Sequence, residues 1–399
     1  MYLYYFLAAL SSWFGLQSLL SGIRYAAYVR RETSRPLPDF QPFVSVIAPG
    51  RGLEPGLIDN LRPLLAQDYR RYEVLFVFDA ADDPAIKIVD ELRSFAMVPA
   101  RTVIAGPATD SGQKVHNLRV AVKEIDPQSE VLVFVDTDAR PAKDWLQKLV
   151  APLADETLGA STGYRWFVPE RSGIASRLRS VWNASVASAL GSDTSKNFCW
   201  GGSTAIRRTT FTRLNVGERW RGTVSDDFTI THVLKEAKLP IHFTPNCLVA
   251  SAGDCDFREL LEFTTRQIKI TRVYASHLWM PLLLGSSLFA IAFFGGLILL
   301  ILQILKILSP SILTALFVLI IFTLGAAKSF LRFRAVSGVL KTSHTDLLAH
   351  VFLWPVASLL YLYNAIAAGF SRRITWRGIT YELKSPTEAV IISRESNAQ

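Results

Sequence analysis

The segment Val131-Leu132-Val133-Phe134-Val135-Asp136-Thr137-Asp138 decides the fold. Its five apolar, mostly β-branched residues predict a strand buried on both faces. Two carboxylates follow abruptly, two residues apart, so an extended chain presents them on the same side. In open α/β sheets, ligands gather at the carboxyl ends of the strands. Carboxylates so placed can share one divalent cation, or one can hold a sugar hydroxyl while the other holds the metal. A polar turn that merely closes a buried strand is the plainer alternative.

Upstream, residues 43–49, 73–78 and 101–104 read as strands, with helices expected over 55–67, 86–93 and 115–124. This alternation predicts a mostly parallel sheet with right-handed connections. The second strand runs into Asp79, with Asp82 and Asp83 just beyond. Downstream, helices are expected over 145–153 and 173–191 and a strand over 158–167. Gly201 and Gly202 precede an apolar stretch, which implies a backbone that approaches a ligand closely or bends tightly. Asp226 and Asp227 precede a helix expected over 228–236. Capping can occupy one of these carboxylates and leaves the other unexplained.

The chain has 399 residues, 50% of them hydrophobic and 19% charged, with mean hydropathy +0.25. This is too apolar for an ordinary soluble protein and too charged for a bundle of membrane helices alone, so a soluble domain joined to a membrane part is expected. Residues 2–23 are long and apolar enough to span a bilayer. They lack the basic flank and the cleavage site of a signal peptide. Arg24, Arg30, Arg31 and Arg35 follow, which puts the next domain in the cytosol by the positive-inside rule. Residues 257–279 have the pattern of a basic amphipathic helix on a membrane surface, or of an ordinary surface helix. Apolar segments over 281–305, 312–327 and 347–368 follow, the middle one short for a span. The tail from 371 is basic. Four full crossings would put it opposite the catalytic domain, whereas its charge favours the same side. One segment can be re-entrant instead, the last being the candidate because Pro355 interrupts it.

The net charge of +9 sits beside the apolar segments and suits anionic lipid. No nucleic-acid-binding signature is present. Cys199, Cys247 and Cys255 form no disulfide framework and no zinc pattern. The phosphate-cradling glycine loops of ATPases and dinucleotide enzymes are also missing. Carboxylates at several strand ends therefore point to a large, polar, metal-bound ligand, and a nucleotide diphosphate sugar fits.

With these residues in view, the chain resembles family-2-type membrane glycosyltransferases of GT-A fold, and more narrowly the ceramide glucosyltransferase group, family 21. The resemblance rests on Ser45-Val46-Ile47-Ala48-Pro49, Tyr72-Glu73-Val74-Leu75-Phe76, Asp83-Pro84-Ala85-Ile86 and Lys114-Val115-His116-Asn117-Leu118. It continues through Asp136-Thr137-Asp138, Gly201-Gly202-Ser203-Thr204-Ala205-Ile206-Arg207-Arg208, Asp226-Asp227-Phe228 and Trp376-Arg377-Gly378. It implies an α/β, GT-A (Rossmann-like) cytosolic domain over 43–254, preceded by a membrane helix over 1–24 and a linker over 25–42. An interfacial helix over 255–280, a membrane region over 281–370 and a basic tail over 371–399 would follow. The expected setting is an integral membrane protein of a bacterial inner membrane.

The resemblance also implies roles. Asp227 is the expected general base, assisted by Asp226. Pro49, Asp79, Asp83, Lys114, Asn117 and Asp136 would bind a UDP-sugar, joined by Arg266 and Lys269. Asp138, with Asp136 beside it, would hold a divalent Mg2+ or Mn2+. Gly201, Gly202 and Ser203 are expected on the acceptor side. The implied reaction is inverting transfer of a hexose, glucose first, from a UDP-sugar to the hydroxyl of a membrane lipid such as ceramide. One departure stands out. The family's Gln/Arg-x-x-Arg-Trp run reads Arg266-Gln267-Ile268-Lys269-Ile270 here. Lys for Arg gives up bidentate recognition of the diphosphate. Loss of the Trp argues against a growing polysaccharide. A polysaccharide synthase and a non-catalytic membrane protein that keeps the fold are the alternatives.

Overall fold

A computed structural model describes residues 1–171 and 173–394; the last five residues of the expected basic tail lie outside this range. The chain forms two compact units. One comprises Arg31–Glu170, Ala189–Gly253 and Arg372–Gln399, and the other Met1–Arg30, Arg171–Ser188 and Asp254–Ser371.

The first unit is built on β1 (Val44–Pro49), β2 (Tyr72–Phe78), β3 (Ala100–Ile104), β4 (Val131–Phe134), β5 (Ala160–Val168), β6 (Thr204–Arg207) and β7 (Ile241–Ala252). They make one sheet in the order β3-β2-β1-β4-β6-β5-β7. The first four run parallel, β6 is antiparallel to both of its neighbours, and β5 pairs with β7 in parallel. This is the expected α/β GT-A domain. Every residue of β2 and of β4 is buried, as strands covered on both faces require, and the one charge among them, Glu73, accepts the Ser45 hydroxyl and the Asp126 N–H. Ile47, Leu75, Leu132 and Phe134 meet Phe211 and Trp220 in one core. The Trp220 ring stands 5.4 Å from Phe134, edge to face. Because β1, β2 and β4 are parallel, Pro49 at the end of β1 and Asp79 and Asp136 beyond β2 and β4 come to one edge of the sheet.

A second sheet, absent from the sequence expectation, occupies the tail: β8 (Arg373–Trp376), β9 (Ile379–Ser385) and β10 (Glu388–Arg394), all antiparallel. The β8–β9 turn uses Arg377 at φ 52° and Gly378 at φ 70°. Two consecutive positive φ values match the right-handed twist of a tight hairpin. Ile374, Ile379, Tyr381 and Leu383 are buried. The described part of the tail, residues 372–394, is therefore part of the same unit as β1–β7.

The second unit is helical. Tyr2–Thr33, Ser276–Ile304 and Ile312–Val336 are long and apolar enough to cross a membrane, and His344–Phe352 and Trp354–Phe370 meet at a bend of 58°. The segment expected over 312–327 is thus 25 residues long. It continues through Lys328, whose ammonium donates to the Ser18 hydroxyl at 2.7 Å. The helix Ile174–Ala187, expected within the catalytic domain, belongs to this unit. It is held by the Tyr361 hydroxyl, which donates to the Trp182 carbonyl at 2.9 Å, and by Arg332, which donates to the Ser185 hydroxyl at 3.2 Å. The expected interfacial helix is Phe257–Tyr274. Asp256 and Glu259 close its start in a reciprocal capping box.

Candidate active site

Four carboxylates and two cations converge beyond the ends of β1, β2 and β4. Lys114, in the first turn of the helix Gln113–Ala121, places its ammonium 2.7 Å from Asp136 and 3.2 Å from Asp226. Arg165 on β5 reaches Asp136 at 3.1 Å and Asp138 at 3.4 Å. Its guanidinium lies over the rings of Trp200 and Phe167, at 4.9 and 5.4 Å from their centroids. Stacking and two carboxylates fix this planar group as a lysine could not be fixed.

The helix Asp226–Glu236 starts at the site because Ser225 caps it, its hydroxyl accepting the Phe228 N–H at 3.3 Å. The cap is thus Ser225, and the capping role open to Asp226 or Asp227 is taken by neither. Both sit in the first turn, where the helix dipole favours negative charge. Trp220 anchors this turn by donating its indole N–H to the Asp226 carbonyl at 3.0 Å. The Asp226 side chain is 3% exposed, and its second oxygen has no hydrogen-bond partner. Burial pushes its carboxyl up to about 6, with Lys114 opposing and Asp227 and Asp136 adding to the rise. Burial also acts to raise Asp136, but Lys114 and Arg165 bring it below the ordinary carboxylate value. Lys114 is held above its ordinary value: burial works against its charge, and Asp136, Asp226 and Asp227 outweigh it. Asp227 is half-buried. One of its oxygens accepts the Ser225 hydroxyl and the Phe228 N–H, and the other faces the Gly201 N–H at 3.5 Å.

The adjacent glycines make this packing possible. A β-carbon at Gly201 would lie 2.1 Å from an Asp226 oxygen and 2.8 Å from the Lys114 ammonium. At Gly202 it would strike the Trp200 ring at 2.2 Å and an Asp136 oxygen at 2.8 Å. Ser203, expected on the acceptor side, is held by the fold. It is fully buried, and its hydroxyl accepts the Trp145 indole N–H at 2.9 Å. Ser203→Ala leaves that donor buried and unpaired. We expect a stability loss of about 1–3 kcal/mol in thermal unfolding, with the acceptor KM unchanged.

The other expected donor residues divide. Asp83 is buried and accepts the Gly52 N–H at 2.8 Å and the Ala85 N–H at 2.9 Å, so both of its oxygens hold backbone. Asp79 pairs with Arg51 at 3.5 Å, while Asp82 is exposed. The Asn117 amide oxygen accepts from Gln113 at 2.8 Å. Pro49 ends β1 beside Val77. Arg266 and Lys269 lie on Phe257–Tyr274 in the helical unit, Arg266 over the Phe263 ring at 5.7 Å. Ile270, at the family's Trp position, is 6% exposed. Arg165 was missed in the sequence. Its signal was a single cation inside the apolar run Tyr164-Arg165-Trp166-Phe167.

A divalent metal fits these residues in one way. Among the described residues, no group of three or more His, Cys, Asp or Glu could hold a metal ion. The four carboxylates nevertheless exceed the two cations, and a buried Asp226 oxygen stands without a partner. A metal held by one or two carboxylates and completed by substrate phosphates, as is usual for Mg2+, needs no larger cluster. Asp138, whose side chain is 35% exposed against 18% for Asp136, is the more accessible of the pair.

A family model described as glycosyl transferase family 21 matches residues 5–389. Two Caenorhabditis elegans proteins, ceramide glucosyltransferase 3 and ceramide glucosyltransferase 1, are each 30% identical, over 83 and 100 residues respectively. These alignments cover 21% and 25% of this chain and only 18% and 21% of those proteins. Among solved structures, a mannosyltransferase from Pyrobaculum calidifontis, in complex with GDP-Man and Mn2+, is 18% identical at a TM-score of 0.49. That match covers 91% of this chain and 98% of the other. Glucosyl-3-phosphoglycerate synthase from Mycobacterium tuberculosis, with Mn2+ and UDP-glucose, is 14% identical at a TM-score of 0.35, covering 57% and 78%.

Proposed function

Since the chain belongs to glycosyl transferase family 21, we propose that it transfers a hexose, glucose first, from a UDP-sugar to a hydroxyl of a membrane lipid of the ceramide type. The observation that carries this reading is the Lys114–Asp136–Asp226 network at the carboxyl edge of parallel strands, with Asp227 half-exposed beside it. The names of the partly aligned curated relatives favour glucose and ceramide. The helices long enough to cross a membrane favour a lipid acceptor over a soluble one.

In this mechanism Asp227 takes the proton of the acceptor hydroxyl. The freed oxygen bonds to the anomeric carbon from the face opposite the diphosphate, the bond to the diphosphate oxygen breaks, and UDP leaves. An α-linked donor therefore gives a β-linked product. Lys114 keeps Asp226 and Asp136 in fixed positions around this centre. Asp138, with Asp136, would hold a divalent metal, which when bound supplies positive charge to the diphosphate. Asp79 and Asp83 would shape the nucleoside end.

That the sheet β8–β10 belongs to the same unit as β1–β7 supports an even number of bilayer crossings by the helices between the two sheets. Ser276–Ile304 and Ile312–Val336 supply two crossings, and the bent pair then enters and leaves on one face. The arginines after the first helix favour the cytosol for that face.

The test incubates the full-length protein in lipid nanodiscs with UDP-glucose, Mn2+ and a panel of ceramide, diacylglycerol and hopanoid acceptors, read by mass spectrometry. We expect a monohexosyl lipid, lost on chelation with EDTA and restored by Mn2+ or Mg2+. Long polymer products would favour polysaccharide synthesis instead. A complete lack of product, with no binding of UDP, would overturn the reading.

A further inference from the structure

We propose that the C-terminal sheet is a working part of the donor site, with Tyr381 and Arg394 as positioning residues for Lys114. The proposal rests on the reading of Lys114 as a donor-site residue.

Lys114 is the second residue of its helix, so its placement depends on how the helix starts. The N-cap there is Gly112, which has no side chain to satisfy the free N–H groups of the first turn. The missing cap comes from far along the chain: the Tyr381 hydroxyl accepts the Gln113 N–H at 3.1 Å across 268 residues. Tyr381 is 2% exposed, so packing sets the position of this oxygen. From β10, Arg394 donates to the Gln113 side-chain oxygen at 3.0 Å and also to the Ala108 carbonyl. Gln113 passes the constraint on. It donates to the Gly106 carbonyl at 2.9 Å and to Asn117 at 2.8 Å, and accepts from the Ala108 N–H at 2.9 Å.

The same sheet touches two further segments that lead to the site. Arg377, at the β8–β9 turn, pairs with Glu54 and donates to the Arg51 carbonyl, and Arg51 in turn meets Asp79. A β-carbon at Gly222 would fall 2.1 Å from the Thr387 carbonyl, so the tail lies directly against the loop that leads to Ser225. The tail thus ties the start of the Lys114 helix, the loop after β1 and the approach to Asp227 into one frame. Lys114 must reach Asp136 and Asp226 together at 2.7 and 3.2 Å, a geometry that a shift of about 1 Å would break.

The experiment measures UDP binding in the presence of Mn2+ by calorimetry on the full-length protein, with donor and acceptor KM from the lipid assay. Tyr381→Phe removes one hydroxyl and keeps the ring. We expect UDP affinity to fall about five-fold, a hydrogen bond's worth, with donor KM rising in parallel and acceptor KM unchanged. Arg394→Ala should do the same by a different route, and Arg394→Lys should recover part of the loss. Lys384→Ala removes an exposed ion pair with Glu382 on the same sheet and should leave UDP affinity unaltered. If wild-type protein binds UDP and both Tyr381→Phe and Arg394→Ala bind it within two-fold of wild type, the positioning role is overturned while the donor reading stands. If wild-type protein binds no UDP, the donor reading falls and the positioning role with it.

Discussion

Asp227→Asn is expected to lower kcat by about a thousand-fold, the scale of a lost general base, or roughly 4 kcal/mol of transition-state stabilisation. The substitution is close to isosteric. The amide oxygen can still accept the Ser225 hydroxyl and the Phe228 N–H, so the first turn of the helix Asp226–Glu236 keeps its geometry. What changes is the other position, which faces Gly201 and becomes an NH2 unable to accept a proton. UDP affinity should therefore stay within about three-fold of wild type, and the loss should fall on kcat rather than on donor KM. Asp226→Asn should look different. It removes one of the two carboxylates on Lys114, so donor affinity and turnover should fall together. Rapid-quench measurement of sugar transfer separates the two cases. An Asp227→Asn protein that retains a tenth or more of wild-type turnover would remove Asp227 from the role of base.

The two substitutions separate because the site holds carboxylates of two kinds. Asp226 and Asp136 are tied to Lys114, and Asp226 is nearly buried. Asp227 and Asp138 are the more open pair. A donor and an acceptor need groups that can be reached, and those groups stay in place only if the buried ones do not move. The glycines at 201 and 202 serve this division by letting the backbone lie against Asp226 and Asp136, where any side chain would push the carboxylates out of reach of Lys114.

The parallel half of the catalytic sheet could be read from sequence because β2 and β4 finish in apolar runs, residues 74–78 and 131–134, and Asp79 and Asp136 stood out beyond them. β7 left no comparable trace. It contains Pro245 and Asn246, both poor strand residues, and its pairing with β5 shifts register. The tail sheet did carry a signal, with Ile379, Tyr381 and Leu383 alternating with polar residues, but its arginines marked it only as a basic tail. Lys328 ended the expected helix at 327 for a similar reason: a lysine reads as the edge of the bilayer until its partner, Ser18, is known. The pairing of Lys114 with Asp226 and of Arg165 with Asp136 depends on elements far apart in the chain meeting at one edge. Residue spacing cannot encode that. The cap that Tyr381 supplies to Gln113 is hidden for the same reason.

Lys114→Met is expected to destabilise the protein by about 3–5 kcal/mol at neutral pH, the usual consequence of removing one partner from a buried ion pair. Methionine fills a similar volume, so the loss measures charge and not a cavity. Arg165 still serves Asp136, which leaves Asp226 as the exposed weakness: its second oxygen already lacks a partner, and the variant takes the cation from the first. The pH dependence follows from the sign of its shift. The Asp226 carboxyl rises from 3.8 to about 6 on folding, so ionising it across that interval works against the folded state. Lys114 limits this penalty by favouring the charged form. Without Lys114 the carboxyl should rise further, and the penalty should keep growing above pH 6. The gap between wild type and Lys114→Met should therefore be widest near pH 8 and narrow toward pH 5, where Asp226 is protonated in both proteins. Adding Asp226→Asn should recover roughly half of the lost stability at pH 8 and little at pH 5, since it replaces an unpaired charge with a neutral group of the same shape. Thermal unfolding of the four proteins at both pH values measures this cycle. A gap independent of pH would mean that the loss does not run through the charge on Asp226.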